Sequence, residues 1–220
     1  MKYHYEVEQG TEEWLRLRLG KITASTAKQL LTPTFKIAKN DKVRTLAYHL
    51  ASERITGRIE PNVTTYDMER GHIEEVFARD LYSEKYSHVK ECGFIENGFL
   101  GYSPDGLVGE HGLIEIKSRR SKYQVQTIID GQMPSEYMIQ CQVGLMVSER
   151  EWIDFIQYSN GMHMFVQRIE RDDDLITKIT DATVDMEATI KELVEDYRVK
   201  SAQYHEAEFI EHVEFGEIEC

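Results

Sequence analysis

The apolar positions of this chain change period several times, and each change marks an element. Thr11, followed by Trp14, Leu15 and Leu17 and stopped near Gly20, predicts a short helix with a hydroxyl cap. Ser25 is placed to open a second helix that runs to Leu31, where Thr32-Pro33 halts it. A basic loop over residues 34–42 leads into a helix from about Asp41 to Ile55, ended before Gly57. Residues 66–86 carry Ile73, Val76, Phe77 and Leu81 at three- and four-residue spacing, the stripe of a further helix.

The period then shortens to that of strands. Phe99–Ser103 and Leu113–Lys117 flank Gly109-Glu110-His111-Gly112, a hairpin signal. Residues 135–148 return to a helical pattern. Trp152–Ile156 and Met164–Ile169 predict two more strands joined at the turn dipeptide Asn160-Gly161. A long C-terminal helix carries Ile179, Met186, Ile190, Leu193 and Tyr197 as an apolar stripe. This order predicts an α/β fold, a mixed central sheet flanked by helices. The four prolines (Pro33, Pro61, Pro104, Pro134) fall in predicted loops, and no Ser/Gly-rich stretch divides the chain. One domain is expected over residues 1–220, with a core from about 11 to 170 and a helix and acidic tail from about 175.

Composition agrees with a packed domain: 220 residues with 41% hydrophobic and 10% aromatic side chains can fill a core, which excludes a disordered tail. There is no run of 18 apolar residues to span a membrane, and Met1-Lys2-Tyr3-His4-Tyr5-Glu6 is no secretory signal, so a cytoplasmic protein is expected. The three cysteines (Cys92, Cys141, Cys220) form no CxxC pair, which favours reduced thiols and disfavours zinc.

Charge is uneven. The total is −13, which argues against indiscriminate coating of nucleic acid. Residues 14–44, however, hold eight bases and one acid, whereas residues 170–220 hold sixteen acids and five bases. A second basic cluster, Lys117, Arg119, Arg120 and Lys122, sits mid-chain. The layout is that of one anion-binding face on an acidic body.

The predicted hairpin carries the chemistry. Glu115 and Lys117 lie two apart and project from one strand face, while Ile114 and Ile116 point to the other. If the hairpin pivots at Glu110 with a three-residue loop, Asp105 lies directly across from Glu115; a loop of two or four residues shifts the register by one. Cross-strand neighbours have Cβ atoms about 4.5–5.5 Å apart, close enough for both carboxylates to hold one small cation. Oxygen-only ligands favour Mg²⁺ or Mn²⁺, with the carbonyl of Ile116 as a further candidate ligand. Lys117 beside such an ion suits stabilising negative charge that develops during phosphodiester hydrolysis. Ser103, two residues before Asp105, is expected on the same strand face. Ser25 at a helix start, with Arg18 nearby, is a candidate anion site. Gln140 and Gln142 are two apart on a helix and cannot both face one site. His72, His111 and His163 show no ligand spacing.

Pro104-Asp105, then Glu115-Ile116-Lys117, resembles the PD-(D/E)xK nuclease signature. Around it, in order, stand Trp14-Leu-Arg-Leu-Arg18-Leu-Gly20-Lys-Ile-Thr23-Ala24-Ser25, Gly71 through Glu75, Ser103-Pro-Asp-Gly106 and Tyr137-Met-Ile-Gln140-Cys-Gln142. Together these motifs, spread from residue 14 to about 160, resemble the phage lambda exonuclease family and its YqaJ-type viral recombinase relatives. The resemblance implies a restriction-endonuclease-like core and a magnesium-dependent 5′-to-3′ exonuclease. It would digest one strand of linear duplex DNA to mononucleotides, as a ring-shaped homotrimer working beside a single-strand annealing protein in a phage or prophage setting. By motif, Asp105 and Glu115 would bind metal, Lys117 would act in catalysis and Gln140 would line the site. Glu75, with Glu74 as rival, would reach a second ion or its waters, and Arg18, Ser25 and Ser103 would hold the 5′-phosphate. Where lambda exonuclease has Cys-Pro after the catalytic lysine, this chain has Ser118-Arg119-Arg120, so the DNA contacts expected of Arg119 and Arg120 differ from that relative. A restriction- or repair-type endonuclease and a non-catalytic acidic interaction module are the alternatives.

Overall fold

The computed structural model describes residues 1–59 and 65–210; Pro61 and the last ten residues of the acidic tail lie outside that range. Among these residues nine strands and seven helices alternate in the mixed α/β arrangement expected from the sequence. The strands divide between two mixed sheets. The first has β1 (Lys2–His4), β4 (Phe94–Asn97), β5 (Leu100–Tyr102) and β2 (Ile22–Thr23) side by side, with only the β5–β2 pair parallel. The second runs β3 (Val89–Lys90), β6 (Gly106–Val108), β7 (Gly112–Ser118), β8 (Trp152–Tyr158) and β9 (Phe165–Glu170), with only β7–β8 parallel. The chain crosses from one sheet to the other through Ser103-Pro104-Asp105.

That crossing corrects the predicted hairpin. Phe99–Ser103 is not the partner of Leu113–Lys117; its strand, β5, pairs with β4 and β2, and β6 is the partner of β7. Pro104, which lacks an amide donor, breaks what the apolar pattern suggested was one strand. The register itself is the expected one. Val108 pairs with Gly112 around Gly109-Glu110-His111 and Gly106 with Ile114, so one step beyond the ladder sets Asp105 opposite Glu115. Gly109 supplies the left-handed φ of 54° that the loop requires. Arg150 donates from Nη1 to the carbonyls of Gly109 (3.0 Å) and Gly112 (2.6 Å), bracing the loop from behind. Gly112 is needed for a different reason: a Cβ there would sit 2.1 Å from the Trp152 ring. Gly112→Ala should therefore lower stability by about 1–3 kcal/mol, measurable as a drop in melting temperature.

The faces of β7 separate chemistry from core. Ile114 and Ile116 pack with Ile156, Ala78 and Tyr82 under α4 (Tyr66–Lys85). Leu113 and Phe155 join the larger core on the other face, whose centre is α6 (Met138–Ser148). Its sequence is apolar nearly all round, which is the pattern of a helix buried on every side. It continues directly from a single 3-10 turn, Ser135–Tyr137.

Among the helices, three differ from expectation. The second helix, α2 (Ala24–Ala27), is shorter than predicted and is capped by Thr23, not Ser25: Thr23 and Thr26 form a reciprocal capping box. On α4, Ile73, Val76 and Phe77 point outward and are 63%, 51% and 61% exposed, so the stripe that signalled the helix is not its buried face. The helix α5 (Ser121–Asp130) has no counterpart in the sequence reading.

Two long helices brace the entrance to the site. They act on the turn that follows the short helix α1 (Glu12–Arg18), which is capped as expected by Thr11 and turns at Gly20, whose φ is 63°. In α3 (Asp41–Thr56), Glu53 accepts the Gly20 amide at 2.6 Å and Arg54 Nε donates to the Gly20 carbonyl at 2.8 Å. Arg54 in turn forms a bidentate pair, at 3.0 and 2.6 Å, with Glu187 of α7 (Asp173–Ser201). Both backbone polar groups of Gly20, in the segment that links Arg18 to Ser25, are thereby held. The stripe of α7 is buried at Ile179, Met186 and Ile190, while Tyr197 is exposed. Among the described residues no helix is long and apolar enough to cross a membrane.

Candidate active site

At the crossing between the sheets lies a cavity of about 160 Å³, lined among others by Arg18, Ser25, Ser103, Asp105, Glu115, Lys117 and Gln140. These seven were singled out from the sequence, and they arrive from α1, α2, the Ser103–Asp105 crossing, β7 and α6. Larger cavities lie elsewhere, among them one of about 600 Å³ between α3 and α7, but they gather no comparable set of groups.

Glu115 is 1% exposed and sits at the hub. Its Oε1 accepts from Lys117 Nζ and, at 2.5 Å, from Gln140 Nε2; its Oε2 accepts from the Tyr102 hydroxyl at 3.0 Å. Asp105 accepts the Ile116 amide on Oδ2 at 2.5 Å, which pins its carboxylate beside the strand that carries Glu115. Withdrawal from water, then the charges of Glu115 and Glu75, push the Asp105 carboxyl well above the usual carboxylate range; Lys117 and the Ile116 amide offset only part of this. For Lys117, burial works against the charge, but Glu115 and Asp105 outweigh it and hold the ammonium above the ordinary lysine value.

Two carboxylates so close constitute an excess of negative charge that a hard divalent ion would neutralise. A carboxylate has about four lone-pair sites, and the three donors to Glu115 leave room for one more contact. The donor set is all oxygen and contains no thiol or imidazole, which fits Mg²⁺ or Mn²⁺ and not zinc. Among the described residues no group of three or more His, Cys, Asp or Glu side chains could hold an ion. An ion here would draw on two carboxylates and keep several waters, as Mg²⁺ does.

At the other side of the cavity Ser103 Oγ accepts from Trp14 Nε1 at 2.9 Å and from Arg18 Nη1 at 3.2 Å. The Arg18 guanidinium also lies 4.2 Å from the Trp14 ring centre. Burial lowers the Arg18 pKa and Glu53 partly restores it, but a guanidinium stays charged. Ser25 Oγ shares a hydrogen bond with Thr23 Oγ1 at 3.1 Å. A guanidinium, hydroxyls and an indole N–H face one small space, and all suit an oxyanion. Ser103 and Asp105 do not alternate along one strand face as expected; the crossing at Pro104 brings both to the cavity.

Other expected residues lie outside it. Glu75 does not line the cavity: it accepts from Arg79 at 2.5 Å, although its charge reaches Asp105. Glu74 accepts from Ser118 Oγ at 2.7 Å. Gln142 faces away, bridging the Glu170 carbonyl and the Asp172 amide. Arg120 forms a bidentate pair with Asp67 at 3.1 and 2.9 Å. Arg119 donates to Glu136 at 2.7 Å and to the Tyr137 hydroxyl, and borders a neighbouring cavity of about 480 Å³. Trp14, Thr23, Gln9 and Tyr102 line the site without having been expected there. A signal existed for Trp14, which precedes Arg18 by four residues and so shares its helix face.

Strand register, the carboxylate pair and the lysine together have the arrangement of the PD-(D/E)xK fold class. The family model of the YqaJ-like viral recombinase domain matches residues 13–151, a span that contains every one of these side chains. The chain is 35% identical to an alkaline exonuclease (LHK-Exo) from Laribacter hongkongensis, covering 88% of this chain and 99% of that one with a TM-score of 0.79. Against the same enzyme in complex with dAMP the identity is 34% and the TM-score 0.80. A phage-related exonuclease from Haemophilus somnus 129PT, at 16% identity over 80% of this chain and 96% of that one, shares the fold with a TM-score of 0.59. No curated protein sequence matches. The chain belongs to the YqaJ-like viral recombinase family.

Proposed function

We propose that this protein is a magnesium-dependent exonuclease that digests one strand of linear duplex DNA from its 5′ end to mononucleotides, leaving a 3′ single strand for recombination by annealing. The observation that carries this reading is the meeting of an anion subsite and a carboxylate pair in one cavity across a single proline. A 5′-terminal phosphate on Arg18, Ser25 and Ser103 sets the first internucleotide bond over Asp105 and Glu115. Bound Mg²⁺, or Mn²⁺ in its place, would polarise the phosphoryl oxygen and acidify an attacking water. Asp105 and Glu115, with the Ile116 carbonyl, hold that ion, and Glu75 is the candidate for waters of a second. Lys117 faces the negative charge that grows on the phosphoryl group, and Gln140 keeps Glu115 turned toward the cavity. Arg119 and Arg120 contact DNA once their acidic partners Glu136 and Asp67 release them.

With a net charge of −13, retention on DNA cannot rest on bulk attraction. A closed homotrimer encircling the duplex supplies retention by topology, and the outward Ile73, Val76 and Phe77 of α4 suit a subunit contact. Relatedness to LHK-Exo supports exonuclease over endonuclease. The test is linear duplex labelled at each end, with and without Mg²⁺. The 5′-phosphorylated strand should shorten to mononucleotides only with metal, a 5′-hydroxyl end should react at least about tenfold more slowly, and closed circular duplex should survive. Cleavage of the circle would make the enzyme an endonuclease, and no metal-dependent turnover on any DNA would leave a binding module.

A further inference from the structure

Glu115 is held by three side chains, and one of them has no place in the reaction described above. Tyr102 is 1% exposed, and among the described residues its hydroxyl makes one hydrogen bond, to Glu115 Oε2. For packing alone a phenylalanine would serve. The ring is fixed on two sides. Its backbone is registered against Ile95 in the first sheet, and its face lies on Gly144 of α6, where an added Cβ would come within 2.9 Å of Cζ. The hydroxyl therefore has one direction open to it, across the gap between the sheets.

Glutamate needs such an anchor. The last torsion of its side chain is broad and two-fold, so packing does not set the plane of the carboxylate. Lys117 and Gln140 both act on Oε1, each from the end of a long side chain with several rotatable bonds of its own. Among the described residues Tyr102 is the one side-chain partner of Oε2, and its hydroxyl sits on a ring that cannot move with the carboxylate.

We infer that Tyr102 is a positioning residue that fixes the carboxylate plane of Glu115 for the divalent ion. The inference rests on the metal-binding reading of the Asp105–Glu115 pair and adds to it the group that orients one ligand. Partners that orient metal ligands typically change affinity by about 10–100-fold when removed.

The molecule contains its own control. Tyr82, on the opposite face of the second sheet, is also 1% exposed and donates to a buried carboxylate, Asp154 Oδ2, at 2.6 Å. Binding of Mn²⁺ alone to the intact chain, followed by electron paramagnetic resonance without DNA, is to be compared for wild type, Tyr102→Phe, Tyr82→Phe and Asp105→Asn. Tyr102→Phe should weaken Mn²⁺ at least about tenfold and raise the Mg²⁺ needed for half-maximal digestion alike, with little change in KM for DNA. Tyr82→Phe should lower the melting temperature as Tyr102→Phe does while leaving Mn²⁺ affinity unchanged. Equal Mn²⁺ affinity in Tyr102→Phe and wild type overturns the inference and leaves the proposed function standing. Equal affinity in Asp105→Asn and wild type shows that the ion binds elsewhere, and overturns the metal reading together with the inference.

Discussion

Lys117→Ala is expected to slow strand digestion by roughly 10²–10³-fold, the loss typical when one fixed donor to a developing oxyanion is removed. Glu115 and Asp105 hold the ammonium above the ordinary lysine value, so the side chain presents positive charge to the phosphoryl group. Its removal does not unfold the site. Glu115 keeps the bonds from Gln140 and Tyr102, and Arg18 and Ser103 on the far side of the cavity keep theirs. Duplex binding measured in Ca²⁺ should therefore stay near wild type while the single-turnover rate collapses. A variant that digests at close to the normal rate would remove Lys117 from the chemistry.

Asp105→Asn should abolish digestion and at the same time make the metal-free protein more stable. Metal-free, two carboxylates face each other, Lys117 offsets only part of their repulsion, and the cost falls on Asp105. Asparagine can still accept the Ile116 amide but adds no charge. Relief on the order of 1 kcal/mol is expected, or about 2–4 °C in melting temperature for a chain of this size. Wild type should gain stability on addition of Mg²⁺ because the ion binds the folded state alone, and the variant should not. A calorimetric scan of both proteins with and without Mg²⁺ reads all four states. A lower metal-free melting temperature in Asp105→Asn would mean that the carboxylate is a structural acceptor first and a metal ligand second.

Much of the site was legible because its key pair is local. Asp105 and Glu115 are ten residues apart, and the glycines at 109 and 112 advertise a tight loop whose register follows from its length. The alternation Ile114, Glu115, Ile116, Lys117 announces one buried and one functional face. What stayed hidden depends on partners distant in the chain. Tyr102 looks like a strand core residue until β7 and α6 close around it. Trp14 acquires its role from Ser103, 89 positions away. The strands β1, β3 and β4 are two to four residues long, too short to show a period. On α4 the apolar stripe identified the helix correctly but not its buried face: Ala78 and Tyr82 face the sheet, and a pattern of hydrophobicity cannot tell a core from an exposed apolar face.

The proline between Ser103 and Asp105 also acts as a gauge. Two residues in extended conformation reach at most about 7 Å, and the proline ring allows little latitude within that. On the proposed reading, the grip on the end of the substrate and the point of scission are tied together by covalent backbone and not by two separately mobile parts. The size of the fragment released at each turn is then a property of bond geometry, indifferent to base sequence and to how fast the enzyme travels.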